Sequence, residues 1–274
     1  MRKDFVEIDS TQSESEIAFV ERYWTEVWER EGGPKAAIDK IPGKAEYRIM
    51  RPYIVSMPPG ARLLDGGCGL GDWSAYLTRK GYPTLGLDIS RSTVAKLKEL
   101  FPDVEFAVGD IRETGLPAES FDGYFSWGTF EHFEEGLERC VAEAWRVLKP
   151  GGYLFISVPF DNFRHALRAA FDRRRKGDPR PGKERFYQWR LTRPEVRGLL
   201  ARGGFSVLNI QPIHKRQGVL RSLHHEFGFP YEWLATKGLG VALAQVIPGG
   251  LIAHMLMAVA QKPAGAPSQP EDKG

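Results

Sequence analysis

The sequence predicts an α/β fold built on an open parallel sheet, and two observations carry that prediction. Short apolar runs over residues 62–65, 84–88, 104–108, 123–126 and 153–158 alternate with helical stretches over 72–80, 92–101 and 134–148. This is the pattern of βαβ units, whose helices cover the faces of a parallel sheet. Polar residues then fall at the carboxyl ends of those runs: Asp65 with a glycine turn, Asp88, Asp110, Ser126 with Trp127, and Pro159 with Phe160. Ligands of open α/β sheets bind beyond these ends, so five strand ends should converge on one crevice.

Taken in order, the chain of 274 residues is long enough for one large domain or two small ones, and its 42% hydrophobic content suits a soluble globule. The opening "MRKDFVEID" lacks the apolar core of a signal peptide, and Cys68 and Cys140 have no disulfide-framework or metal-ligand spacing. Both features lead us to expect a cytoplasmic, reducing environment. Ser13 and Glu16 are spaced as a capping box for an amphipathic helix that places Ile17, Val20, Trp24, Val27 and Trp28 on one face and stops at Gly32, Gly33 and Pro34. A second helical piece over 44–54 completes an N-terminal helical cap over residues 1–60, ahead of a main domain over 61–262. The stretch 239–260 is apolar except for Gln245 and His254, but "PGG" at 248–250 divides it into pieces too short to span a bilayer. It reads as a buried helix ending near Ile247 and a strand over 253–262. Residues 263–274 read as a disordered tail.

The most informative stretch is "LLDGGCGLGDW" at 63–73. Glycines at Gly67, Gly69 and Gly71 let the backbone turn sharply and approach a ligand closely, and the following helix presents free N–H groups to a negatively charged group. The dinucleotide spacing G-x-G-x-x-G is absent: its third glycine is Asp72 counted from Gly67, and Ser74 counted from Gly69. Asp88, at the end of the second run, is placed to accept from both hydroxyls of a ribose. Asp110 is placed to accept from an exocyclic amine, beside the apolar face of Ile111.

Residues 160–190 form an insertion after the fifth strand. Between Arg164 and Arg185 lie nine Lys or Arg against three acids, flanked by Phe160, Phe163, Phe171, Phe186, Tyr187 and Trp189. The segment reads either as a solvated helix and loop or as a lid that attracts an acidic substrate or nucleic acid. The net charge of +3 over the whole chain does not by itself argue for a nucleic-acid partner.

The motifs "LLDGGCGLGDW", "GLDIS", "GDIRETGLPAESFDGYFSWGTFEHF" and "RVLKPGGYLFISVP", in this order, resemble those of the class I S-adenosylmethionine-dependent methyltransferases, and among them the ubiquinone and menaquinone biosynthesis branch. The resemblance is firm over residues 61–159 and weaker over 191–210 and 254–262. It implies a Rossmann-like, doubly wound sheet of seven strands with the last antiparallel, and S-adenosyl-L-methionine as cofactor. By that analogy Asp65 and the backbone of Gly67, Cys68, Gly69 and Gly71 hold the methionine portion, Asp88 the ribose, and Asp110 with Ile111 the adenine. Trp73, Ile89, Ser126 and Trp127 line the same site. His132 in "FEHF" falls near the reacting centre and is either a general base or a packed core residue. The expected acceptor is a small hydrophobic or acidic molecule. An RNA or protein acceptor is the alternative, although the Asn/Asp-Pro-Pro-aromatic signature of many base and amide N-methylators is missing where "SWGT" stands. A cofactor-binding module without turnover is the third. No transmembrane segment and no metal site are expected, while peripheral contact with a membrane is left open.

Overall fold

Before the central sheet, the chain forms a strand β1 (Arg2–Glu7), a helix α1 (Glu16–Arg30) and a helix α2 (Ala45–Val55). The computed structural model describes residues 1–7, 15–30, 32–33, 38–165 and 184–265. Ser13, the basic run at Arg173, Arg174 and Arg175, and most of the tail lie outside these residues. So does the middle of the segment 160–190 read as a lid, over residues 166–183. At the start of α1, the Ser15 hydroxyl accepts from the Ala18 N–H at 3.2 Å.

Five parallel strands follow. Strand β2 (Leu63–Gly66) leads to α3 (Asp72–Arg79), and β3 (Thr84–Asp88) leads to α4 (Arg91–Leu100). Both strands are buried along their whole length, which is why they read as unbroken apolar runs. Ser90 caps α4 by accepting from the Thr93 N–H at 3.2 Å. Then come β4 (Glu105–Val108), β5 (Phe121–Trp127), α5 (Glu138–Val147) and β6 (Leu148–Pro159). Beyond β6 the chain forms β7 (Glu184–Arg190), α6 (Arg193–Arg202), β8 (Ser206–Ile213), α7 (Lys215–Phe227), α8 (Leu234–Val246), a short α9 (Gly249–Ile252) and β9 (Met255–Gln261). Thr192 and Glu195 cap α6 reciprocally, the capping box that stops the chain from continuing as a strand after Arg190.

The seven-stranded sheet has the order β4-β3-β2-β5-β6-β9-β8, and β9 runs antiparallel to both of its neighbours. The doubly wound sheet and its antiparallel last strand are therefore as expected. The chain winds outward from β2 through β3 to β4, then returns to β5 on the other side of β2. This reversal leaves a gap between the loops after β2 and β5, the place where open α/β sheets hold their ligands. One face of the sheet is covered by a core that includes Trp73, Tyr76, Met50 and Phe155, the other by one that includes Leu137, Val141, Trp145 and Leu199.

Four features differ from the sequence expectation. β1, in the presumed helical cap, pairs antiparallel with β7, in the presumed lid, with Arg2 opposite Arg190. Burial in β7 alternates, but its inward positions are Phe186, Gln188 and Arg190, so hydrophobic periodicity does not show the strand. Gln188 donates to Asp4 at 2.9 Å and Arg190 pairs with Asp4 at 2.6 Å, which compensates the burial of polar groups across this small sheet. Secondly, α5 begins at Glu138 rather than 134, because Phe130–His132 forms a separate 3-10 turn. Thirdly, β6 starts at Leu148, and "KPGG" is an excursion within it: Phe121 pairs with Leu148, and Gly123 with Tyr153. Finally, α8 is not a buried helix. Only Thr236 and Gly240 are buried, and Leu234 is 84% exposed. At Gly240 α8 lies close against α7, since a Cβ there would come within 2.6 Å of Leu220. Among the described residues no helix is long and apolar enough to cross a membrane.

Candidate active site

The loop after β2 is shaped by its glycines. Gly67, Gly69 and Gly71 have φ of +77°, +50° and +72°, a region costly for residues with a Cβ. Space imposes the same choice, because a Cβ on Gly67 would fall 2.5 Å from the Thr129 side chain and one on Gly69 would fall 2.8 Å from the Trp28 ring. The N–H groups of Gly67 and Cys68 donate to the Leu87 carbonyl at 2.8 and 2.9 Å, which ties the loop to β3. Helix α3 starts at Asp72, and its N-cap Gly71 has no side chain to satisfy the first-turn N–H groups, of which Ser74's is engaged by the Asp65 carboxylate.

Three carboxylates border this loop. Asp65, at the end of β2, is 2% exposed and accepts from the Ser74 hydroxyl at 2.7 Å. Burial, reinforced by the nearby Asp88 charge and opposed by Ser74, pushes its pKa up to about 7. Asp88, at the end of β3, is also buried, and burial raises its pKa against hydrogen bonds from backbone N–H groups. Those bonds come from Gly69 to one oxygen and from Ser90 to the other, each at 2.9 Å. Asp110 differs from expectation, because the Arg112 guanidinium grips its carboxylate through Nε and Nη2 at 2.8 to 3.1 Å. Arg112 also binds Glu16 at 2.9 Å and Glu135 at 3.0 Å, and lies 4.1 Å from the centre of the Phe133 ring. Burial disfavours its charge, yet the bonds to Asp110 and Glu16 override that and hold the guanidinium pKa above its ordinary value. Glu16 in turn accepts from the Glu134 N–H at 2.7 Å. One buried arginine therefore fastens α1 over the ends of β4 and β5.

These elements enclose a cavity of about 340 Å³. Asp65, Gly67, Cys68, Gly69, Gly71, Trp73, Asp88, Ile89, Asp110, Ile111, Trp127 and His132 all line it, so the structure brings together every sequence-derived site residue except Ser126. The Ser126 side chain is turned away into the sheet, where its hydroxyl donates to the Gly66 carbonyl at 2.6 Å and fixes the start of the glycine turn. Sequence reasoning missed the wall supplied by α1, whose Val20, Trp24 and Trp28 line the cavity, as do Lys44, Thr129 and Phe133. The signal was present as an apolar stripe at i, i+4 and i+8, but a stripe does not say what it packs against. Aromatic pairs build two sides: Trp24 and Trp28 have ring centres 5.2 Å apart, and Trp73 and Trp127 5.1 Å. The indole N–H groups of Trp28 and Trp127 are buried without a protein acceptor.

His132 is 5% exposed, its ring 4.8 Å from Trp24 and 5.0 Å from Tyr187 between ring centres. Its Nδ1 lies 2.7 Å from the Tyr187 carbonyl oxygen. A carbonyl only accepts, so Nδ1 carries the hydrogen and donates it. Burial lowers the ring's pKa to about 4, although the Tyr187 and Gly128 backbone favours the protonated form. At neutral pH the ring is therefore uncharged, with a lone pair on Nε2.

Fold and crevice together define a doubly wound α/β protein with a ligand site at its switch point. Residues 64–156, from β2 into β6, match the family described as a methyltransferase domain. The chain is 35% identical over 133 residues to 2-methyl-6-phytyl-1,4-hydroquinone methyltransferase of Synechocystis sp., covering 46% of this chain and 42% of that protein. It is also 35% identical over 118 residues to trans-aconitate 2-methyltransferase of Deinococcus radiodurans, covering 41% and 44%. The chain thus spans less than half the length of these curated relatives. In fold it is similar to the crystal structure of Burkholderia thailandensis 1,6-didemethyltoxoflavin-N1-methyltransferase with bound 1,6-didemethyltoxoflavin and S-adenosylhomocysteine, with a TM-score of 0.56, 18% identity and 96% of both chains covered. Residues 64–156 thus match a methyltransferase domain in sequence, within a fold shared with a methyltransferase that binds S-adenosylhomocysteine.

Proposed function

We propose that the protein transfers a methyl group from S-adenosylmethionine to a small hydrophobic or acidic molecule, and that the cavity at the β2–β5 switch point holds the cofactor. The observation that carries this reading is the pair of buried carboxylates, Asp65 and Asp88, around a glycine cradle that no Cβ could occupy. Buried carboxylates are costly without a compensating cation or donor. Bound there, S-adenosylmethionine supplies an ammonium, a ribose diol and a methyl group already activated on a sulfonium.

The chain's own residues then divide the work. Asp65 takes the ammonium, and the charge relieves its desolvation. Asp88 spends one lone pair on each of its two backbone partners, and its remaining lone pairs accept from the ribose hydroxyls. The N–H groups of Asp72 and Trp73 in the first turn of α3 receive the carboxylate, since those of Gly67, Cys68, Gly69 and Gly71 already bind the Leu87 carbonyl, Asp88 and the Cys68 carbonyl. Ile89, Ile111 and the Asp110 edge border the adenine, with Asp110 held in place by Arg112. Trp24, Trp28, Trp73 and Trp127 exclude water and offer π faces to a cation. His132 presents its free Nε2 to an acceptor hydroxyl or ammonium as general base. Alignment and exclusion of water supply the rest of the rate.

The test is to incubate the pure protein with methyl-labelled S-adenosylmethionine and a cell extract, then fractionate the products. Label should enter low-molecular-weight, extractable compounds. Label confined to RNA or protein would overturn the small-molecule reading. Cofactor binding with no label in any fraction would overturn transfer itself.

A further inference from the structure

A second buried polar cluster lies beyond His132, and nothing in the cofactor site uses it. The Phe160 N–H donates to the His254 carbonyl at 3.0 Å, the Leu191 N–H to the Pro159 carbonyl at 3.0 Å, and Asn162 Nδ2 to the Ala253 carbonyl at 2.9 Å. These bonds join the end of β6, the end of β7 and the approach to β9. Arg164, Arg190, Arg221 and His254 lie near enough there to feel one another's charge, and Glu131, next to His132, feels that of Arg190.

Among the described residues, the charges of this cluster are paired except for that of Arg221. Arg190 binds Asp4 through Nε at 2.6 Å, while its Nη1 is buried without a partner. Arg164 binds Glu226 at 2.9 Å and Ser222 at 3.0 Å through Nη1, while its buried Nε has no partner. Arg2 pairs with Asp161 at 2.7 Å. Arg221 is half-buried and has neither an ion pair nor a hydrogen bond among the described residues. Its charge is nonetheless felt by His254, Arg190, Arg164 and Tyr187. Burial, and then the charges of Arg221 and Arg190, hold the His254 pKa down to about 3, so that ring adds no charge. Glu131 is 1% exposed, with Oε1 3.9 Å from His132 Nε2 and Oε2 buried without a partner. Burial raises its pKa to about 8, so at neutral pH it is largely a neutral acid with a hydrogen to donate.

We infer that Arg221, with the unpartnered Arg190 Nη1 and Arg164 Nε, binds a carboxylate on the methyl acceptor and so holds the acceptor beside Glu131 and His132. The charge count selects the ligand. One unbalanced cation is neutralised by one negative charge, whereas a phosphate dianion would leave a second negative charge uncompensated in a buried site. Guanidinium groups also suit the planar, two-oxygen geometry of a carboxylate. This inference rests on the proposed methyl transfer only for calling the bound group an acceptor.

Calorimetric titration of the full chain saturated with S-adenosylhomocysteine tests it, with benzoate and hexanoate as probes, benzamide and hexanamide as uncharged counterparts, and inorganic phosphate as a further arm. The carboxylates should bind saturably, about tenfold or more tighter than the amides and tighter than phosphate. Arg221→Gln should weaken carboxylate binding by about tenfold or more and leave melting temperature and S-adenosylhomocysteine affinity unchanged, and Arg221→Lys, which keeps the charge but not the planar fork, should restore only part of it. Equal binding of acids and amides, tighter binding of phosphate, or wild-type carboxylate affinity in Arg221→Gln would each overturn the inference. Failure of S-adenosylhomocysteine to bind would refute the cofactor site instead, and the same titrations without it would still report on the cluster.

Discussion

Replacing Asp65 with asparagine should stabilise the ligand-free protein and impair its site. The carboxyl is buried and ionises near pH 7 instead of its ordinary 3.8. Between those two values the folded state keeps a proton that the unfolded chain has released, so stability falls as pH rises and the loss is complete above pH 7. At pH 8 the penalty amounts to about 4 kcal/mol, about three pKa units at 1.36 kcal/mol each. Asparagine has the same shape and still offers an oxygen to the Ser74 hydroxyl, now 2.7 Å from Asp65, but carries no titrating proton. Its advantage over the wild type should grow by about 2.5 kcal/mol between pH 5 and pH 8. Burial of neutral His132 imposes the opposite slope, since its pKa of about 4 lies below the ordinary 6.5, but that slope is common to both proteins and cancels. Urea unfolding without cofactor at pH 5, 6, 7 and 8 measures the difference, and calorimetry should show that S-adenosylhomocysteine binds the variant more weakly. Parallel pH profiles, or a variant less stable than wild type at pH 8, would refute the reasoning.

Three further outcomes follow from the same geometry. His132→Gln should keep its fold and cofactor affinity while kcat falls by about 100-fold or more; the wild-type acid limb should lie near pH 4 rather than 6.5, and near-normal turnover in the variant would rule out a base. Gly67→Ala, which places a Cβ 2.5 Å from Thr129 at φ of +77°, should lose about 1 to 3 kcal/mol and most cofactor affinity, so an unchanged melting temperature and titration would count against the cradle. Arg112→Met leaves Asp110, Glu16 and Glu135 without their shared cation and should cost about 3 kcal/mol. Limited proteolysis should then cut within α1 sooner than in wild type, and equal rates would show that Arg112 does not fasten that helix.

The parallel half of the fold was legible because β2 and β3 are buried on both faces and their sequences are apolar throughout, while glycines and acids mark their ends. What the sequence hid has physical causes. β1 and β7 bury Gln188 and Arg190 against Asp4, so their inward face is polar and shows no hydrophobic alternation. α8 is apolar apart from Thr236, Lys237 and Gln245, a composition that usually means burial, yet only Thr236 and Gly240 are covered. In the site, every cofactor residue named from the sequence at a strand end or in the glycine turn lines the cavity except Ser126, whose hydroxyl turns back to the Gly66 carbonyl, while Leu70, Asp72, Gly109 and Gly128 line it unnamed. Trp24 and Trp28 were seen as an apolar face but not as a wall of the cavity, because contacts across more than a hundred residues, such as Trp24 with His132, leave no local trace. The cluster around Arg221 was hidden for the same reason.

The central claim is that the crevice beside Asp65 and Asp88 holds S-adenosylmethionine, and calorimetric titration with S-adenosylhomocysteine tests it most directly when wild type and Asp88→Ala are compared at one pH and salt. Wild type should bind one equivalent. The variant loses the acceptor of two ribose hydroxyls and the anchor of the Gly69 and Ser90 N–H groups, and should bind about 30- to 1000-fold more weakly, equivalent to about 2 to 4 kcal/mol. No binding by a folded wild-type protein, or equal affinity in the two proteins, would contradict the account.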